Sequence, residues 1–159
     1  MITRNIKFKN FLIQKNFFNI SKKIKSLLEE NNLILSTLRS NYKYSYSNQI
    51  IKKFKKYQNI RLIGMGGSIL GSQAIHDFLK YKIKKKVFFI NNLSNKKLEN
   101  YKKRKNLNLV ISKSGNTLET ILNSNIFIKK SDKNIFITED KNNYLFNLGK
   151  KLKAEIIEH

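Results

Sequence analysis

The chain has 159 residues, 40% of them hydrophobic, enough for one globular domain with a real core. It contains no Cys, which excludes a disulfide framework and a Cys-based metal site, and no uninterrupted apolar stretch long enough to span a bilayer. Lys+Arg 33 against Asp+Glu 10 gives a formal net charge of +23, which raises nucleic acid as a partner. The basic residues, however, are almost all Lys, spread along the chain among many Asn and Ile, as an A/T-biased coding sequence would produce. A dedicated nucleic-acid surface more often shows clustered Arg and aromatic stacking platforms, so nucleic acid is the weaker expectation. The N-terminus MITRNIKFKNFLIQK lacks a compact apolar core and a small-residue cleavage site. Cytoplasmic residence, without a membrane partner, is therefore the default expectation.

Residues 1–15 show no clear period and read as an arm. From Phe17 the spacing of Phe17, Ile20, Ile24, Leu27 and Leu28 predicts a helix, with Lys22, Lys23, Lys25, Glu29 and Glu30 opposite. Asn31 and Asn32 interrupt it, and residues 33–38 predict a short continuation. The polar, Tyr-rich segment 40–48 predicts a loop, and Ile50, Ile51, Phe54 and Tyr57 predict a further helical face. Residues 1–58 thus read as a helical lead-in, and 59–159 as the domain it precedes.

From Ile60 the rhythm alternates between strand and helix. Apolar runs at 60–63, 87–90, 107–111, 134–137 and 154–157 predict strands. The gaps hold helical spacing: Ile69, Leu70, Ile75, Phe78 and Leu79; weakly Leu98 and Tyr101; Leu118, Ile121, Leu122 and Ile126; and Leu145, Leu148 and Leu152. This predicts an α/β fold, a doubly wound five-stranded parallel sheet with helices on both faces. Right-handed crossovers narrow the order to 2-1-3-4-5, which makes strands 1 and 3 neighbours at the switch point, where ligands sit beyond the carboxyl ends. The Lys runs 84–86 and 102–105 read as solvated loop or helix-end charge.

Two loops carry the chemistry. After the first strand come Gly64, Met65, Gly66, Gly67 and Ser68, leading straight into helical spacing at Ile69. Glycines permit positive φ and close approach, and unpaired N–H groups at a helix start face an anion. After the third strand come Ser112, Lys113, Ser114, Gly115, Asn116 and Thr117. At one switch point the hydroxyls of Ser68, Ser112, Ser114 and Thr117 would converge with two helix starts, which is what a phosphate monoester needs. Gly64, Gly66, Gly67 and Gly115 shape the two turns. No metal or cofactor is required for such binding. Lys113 reads either as a phosphate or substrate contact or as one more surface Lys. Glu119, three residues after Asn116, reads either as a capping box or as a carboxylate paired with a cation near the anion site. The first loop is not a P-loop, because no Gly-Lys-Ser/Thr closes it, and Ile69 stands where a dinucleotide fingerprint needs its third glycine. His76 falls beyond the loop and reads as a helix-surface or packing residue; His159 is the last residue and supports no assignment.

GMGGSILG and LVISKSGNTLET, in this order and separated by one βαβ unit, resemble the two phosphate loops of the sugar isomerase (SIS) domain. They resemble most closely those of the glucose-6-phosphate isomerase family, to which the doubled glycine before Ser68 points. The resemblance covers residues 60–159 well and the lead-in more loosely. It implies Ser68, Ser112, Ser114 and Thr117 as phosphate ligands, Gly66 and Gly67 beside the sugar, and Lys113 at the substrate. It implies cofactor-free interconversion of glucose 6-phosphate and fructose 6-phosphate through an enediol, and a homodimer for the full-length protein. The family's second SIS domain, Gly-Gly-Arg segment, base Glu, ring-opening His and C-terminal Lys all follow the matched region, so no catalytic residue is assignable here. The expectation is an N-terminal part of such an enzyme, binding sugar phosphate weakly and not isomerising it alone. The alternative is a stand-alone SIS-domain sensor that binds a sugar phosphate and regulates a partner.

Overall fold

The computed structural model describes residues 17–30, 33–37, 40–93, 106–139 and 141–159. Two compact units divide the chain, Met1–Tyr44 and Ser45–His159. In the first, α1 (Phe17–Glu29) carries Ile20, Ile24 and Leu27 on one face, each exposed. A single helical turn, α2 (Leu33–Ser36), follows. The expected arm at 1–15 lies outside the described residues.

The second unit opens with α3 (Asn48–Phe54), whose first turn is capped by Ser47 accepting from the Ile50 N–H at 3.4 Å. Five strands follow: β1 (Asn59–Gly64), β2 (Lys86–Ile90), β3 (Asn106–Ile111), β4 (Lys133–Thr138) and β5 (Glu155–Glu158). Every pairing is parallel and the order is β2-β1-β3-β4-β5, as the strand and helix rhythm predicts. Three helices fill the described connections: α4 (Gly67–Leu79), α5 (Leu118–Phe127) and α6 (Tyr144–Lys151). The weak helical signal at Leu98 and Tyr101, and the Lys run 102–105, lie outside the described residues.

Side chains alternate across the sheet, so each strand feeds two cores. On one face Phe54 of α3 packs with Leu107, Ile135 and Ile157. On the other, Ile63, Ile90, Val110 and Phe136 meet Leu145 of α6, with Ile121 and Leu148 packed alongside. This double coverage is why the strands read as continuous apolar runs. A polar cluster is buried with them. Arg61 donates to the Phe127 carbonyl at 2.9 Å and to Asp132 at 3.2 Å, and both ion-pair side chains are only 4% exposed. Asn108 donates to the same Asp132 oxygen and to Asn134.

Seven apolar residues of the helical pattern are exposed on α3, α4 and α5. Ile51 is exposed, because a helix this short turns only Ile50 and Phe54 onto the sheet. On α4, Ile69 is buried but Leu70, Ile75 and Phe78 are exposed; on α5, Leu118, Leu122 and Ile126 are exposed. On α4 only Ile69 is buried, and on α5 the buried positions are the polar Thr120, Asn123 and Ser124, so the apolar stripe of α5, Ile121 apart, is not the face that enters the core. Lys85 also departs from a solvated role: it is half-buried and donates to the Lys55 and Tyr57 carbonyls. The sheet edge at β5 is tied by Ser45, donating to the Glu158 carbonyl at 2.7 Å, and by a Lys53–Glu155 pair at 2.7 Å.

Candidate functional site

β1 and β3 are adjacent and in register to their last residues, with Gly64 opposite Ile111. Because the strands are parallel, the loops that follow leave the same end of the sheet side by side. Gly64 makes this closeness possible: a Cβ there would stand 3.0 Å from the Ile111 carbonyl oxygen.

In the first loop Gly66 has φ 53° and ψ −128°, a conformation that side chains disfavour, and it precedes the first residue of α4. No side chain caps this helix start. Gly66 and Gly67 are exposed, and the space where a Cβ would stand is open at both. Ser68 is half-buried in the first turn. The loop therefore presents backbone, unobstructed, at the positive end of a helix.

The second loop is held more tightly. Ser112 is 2% exposed, and its hydroxyl lies 3.0 Å from that of Thr117. One of the pair must donate to the other, which leaves one hydroxyl proton free for a ligand. Lys113 and Ser114 are exposed, and Gly115 has φ +65°. Thr117 is the N-cap of α5 without a side-chain cap bond. Glu119 is thus the second helical residue, one short of the position a capping box uses, and the Asn116 side chain accepts instead from the Tyr144 N–H at 3.0 Å. The capping-box reading of Asn116 and Glu119 does not hold, since the helix begins one residue later than that box requires.

β4 and α6 supply a support that the sequence reading missed. The Lys113 carbonyl accepts from the Glu139 N–H at 3.0 Å and the Thr138 hydroxyl at 3.3 Å, and the Gly115 carbonyl accepts from the Leu145 N–H at 3.1 Å. Asn143, 4% exposed, caps α6 by accepting from the Phe146 N–H at 2.9 Å. The signal was present: an Asn immediately before Tyr144-Leu145 is a helix-start signature. Beside this support, Lys141 bonds Glu139 at 2.7 Å and holds its carboxyl below the ordinary value; desolvation opposes this, and the charges of Lys141, Lys113 and His159 add to it. His159 continues the sheet edge, its N–H donating to the Thr138 carbonyl at 3.1 Å. His76 is far from this chemistry by role: it sits in α4 and packs edge-on against Phe89, ring centres 5.3 Å apart.

Residues 18–150 match the family model for phosphoglucose isomerase. The chain is 38% identical over 109 residues to the glucose-6-phosphate isomerase of Methanocaldococcus jannaschii, covering 65% of this chain and 26% of that one. Among solved structures it resembles a hypothetical protein from Thermus thermophilus, with TM-score 0.55 and 18% identity over 90% of this chain and 41% of the other. It also resembles tagatose-6-phosphate ketose/aldose isomerase from Escherichia coli, with TM-score 0.52 and 15% identity over 88% of this chain and 34% of the other. Both structural likenesses concern the fold. The chain spans about a quarter of the length of the Methanocaldococcus relative.

Proposed function

The chain belongs to the phosphoglucose isomerase family, and from that premise we propose that it supplies the phosphate-binding part of a glucose-6-phosphate isomerase. On this reading Ser68 from the first loop, and Ser112, Ser114 and Thr117 from the second, donate to the phosphoryl oxygens of a hexose 6-phosphate. Gly64, Gly66, Gly67 and Gly115 let backbone N–H groups approach. Lys113 offsets the phosphate charge, and Glu119 stands behind the second loop at the start of α5. The formal charge of +23 assists by attracting the dianion over long range.

The aldose–ketose interconversion moves a proton between C1 and C2 through an enediol, so it needs a base at those carbons and a group to open the ring. This chain holds the phosphate end of the substrate and does not turn it over alone, a reading supported by its span of 26% of the Methanocaldococcus relative. In the full-length protein it works in a cytoplasmic homodimer. Among the described residues no helix is long and apolar enough to cross a membrane.

The observation that carries the proposal is the register of Gly64 on Ile111, which sets both hydroxyl-bearing loops side by side at one end of the sheet. Calorimetric titration with 6-phosphogluconate, against gluconate as the phosphate-free control, tests it. Heat of binding for the phosphorylated compound alone is expected. Equal binding of both, or of neither, removes the reading.

A further inference from the structure

We propose that Asn143 is a positioning residue for the second phosphate loop, setting its affinity for a phosphate monoester without touching the ligand; the inference rests on the function proposed above. Asn143 is almost fully buried and divides its amide between two tasks. Its Oδ1 caps α6 through the Phe146 N–H at 2.9 Å. Its Nδ2 donates to the Thr138 hydroxyl at 3.3 Å and to the Glu139 carbonyl at 3.2 Å. The Thr138 hydroxyl in turn donates to the Lys113 carbonyl at 3.3 Å. A relay thus runs from Asn143 through Thr138 into the loop.

The same amide fills the space under the turn. A Cβ on Gly115 would lie 1.8 Å from Asn143 Oδ1 and 2.1 Å from its Cγ. Loop and amide are therefore packed to backbone contact, with Gly115 at φ +65° leaning over the side chain.

The consequence is a sorting of polar groups. The Lys113 and Gly115 carbonyls, which would repel an anion, are both turned toward β4 and α6, where they accept bonds. The peptides are trans among the described residues, so each N–H points opposite to the C=O of its own peptide unit. The N–H groups of Ser114 and Asn116 accordingly face away from that support, and the Asn116 N–H donates to the Ser114 Oγ at 3.3 Å. The two acceptors are pinned inward and the Ser114 N–H is left outward, while the Gly115 and Asn116 N–H groups bond the Ser112 carbonyl and the Ser114 Oγ and so hold the turn in shape. Asn143 sits at the centre of the pinning.

Two variants of this chain separate positioning from capping. Asn143→Ser keeps a good cap acceptor for α6 but is too short to reach Thr138 or Glu139, or to fill the space under Gly115. Thr138→Val leaves Asn143 in place and cuts the relay. Calorimetry with 6-phosphogluconate is expected to show roughly tenfold weaker binding for each, the order expected from one lost buried hydrogen bond. The double variant should be no weaker than the worse single one, because both cut the same relay. Amide exchange at residues 112–117 should quicken in both variants while that of β1 stays slow.

Wild-type affinity in folded Asn143→Ser, or losses that add in the double variant, overturns the inference while leaving the proposed function standing. If Asn143→Ser does not fold, unchanged binding in Thr138→Val overturns it alone. A wild-type chain that does not bind 6-phosphogluconate removes the function and this inference together.

Discussion

Gly64 and Ile111 face each other across the last rung of the β1–β3 ladder, so close that a methyl group on Gly64 would stand 3.0 Å from the Ile111 carbonyl oxygen. The obstacle is backbone in the middle of the sheet, which cannot swing aside as a side-chain tip can. Gly64→Ala should therefore destabilise the chain by about 1–3 kcal/mol, the usual cost of overpacking. The urea midpoint should fall with the slope unchanged. An unchanged midpoint would mean that the two strands can part without cost, and that their loops are not held together.

The other loop glycines should separate strain from space. Gly67 has neither a positive φ nor a neighbour within 4 Å of an added Cβ, so Gly67→Ala should leave stability within about 0.5 kcal/mol. Gly66 has open space but φ +53°, so Gly66→Ala should cost on the order of 1–3 kcal/mol from backbone strain. Gly115 combines φ +65° with the Asn143 collision and should be the worst of the three. Thermal melts of the three variants check the ranking, and Gly67→Ala as the most damaging would contradict it.

The buried Arg61–Asp132 pair is expected to punish single substitution more than double. Asp132 accepts from Arg61, Asn108 and the Lys129 N–H, so Asp132→Ala takes the counter-charge from a buried guanidinium and the acceptor from two further donors. The expected loss is about 3–5 kcal/mol, and Arg61→Met with Asp132→Leu should lose clearly less. Denaturant titrations of the single and double variants give the comparison. A double variant as unstable as the sum of the singles would show that the pair is not coupled.

Glu139 provides the pH dependence. Its carboxyl is held below the ordinary glutamate value, first by the hydrogen bond from Lys141 and then by the charges of Lys141, Lys113 and His159. A folded value below the unfolded one stabilises the chain above the ordinary glutamate pKa of about 4.3, and that contribution is lost as pH falls through the lowered folded value. A carbon-detected titration of Glu139 should show a midpoint below the ordinary value, and Lys141→Ala should raise it. No rise in that variant would place the cause elsewhere.

The sheet was readable from residues because both of its faces are covered, so each strand stands out as an apolar run such as Leu107 to Ile111. Right-handed crossovers limited the chain to doubly wound sheets, and the expected order among these, 2-1-3-4-5, is the one found, with the two loops on neighbouring strands. What was not readable depends on contacts between distant residues. Arg61 sits in a strand yet is buried, because Asp132 lies 71 positions away in sequence but 3.2 Å away in space. Asn108 and Asn134 look like outward-facing polar positions and are inward for the same reason. Apolar spacing marked α4 and α5 as helices, but spacing alone does not say which side faces the sheet, and on α5 that side is Thr120, Asn123 and Ser124. Asn143 was legible as a cap, but its second task needs Gly115 overhead, and only the fold brings the two together.

The most direct test follows the amide signals of this chain during titration with 6-phosphogluconate. The account predicts that residues 66–68 and 114–117 shift together and saturate with one dissociation constant, because both loops close on one phosphoryl group. Shifts confined to one loop, or two loops saturating at different concentrations, would contradict it.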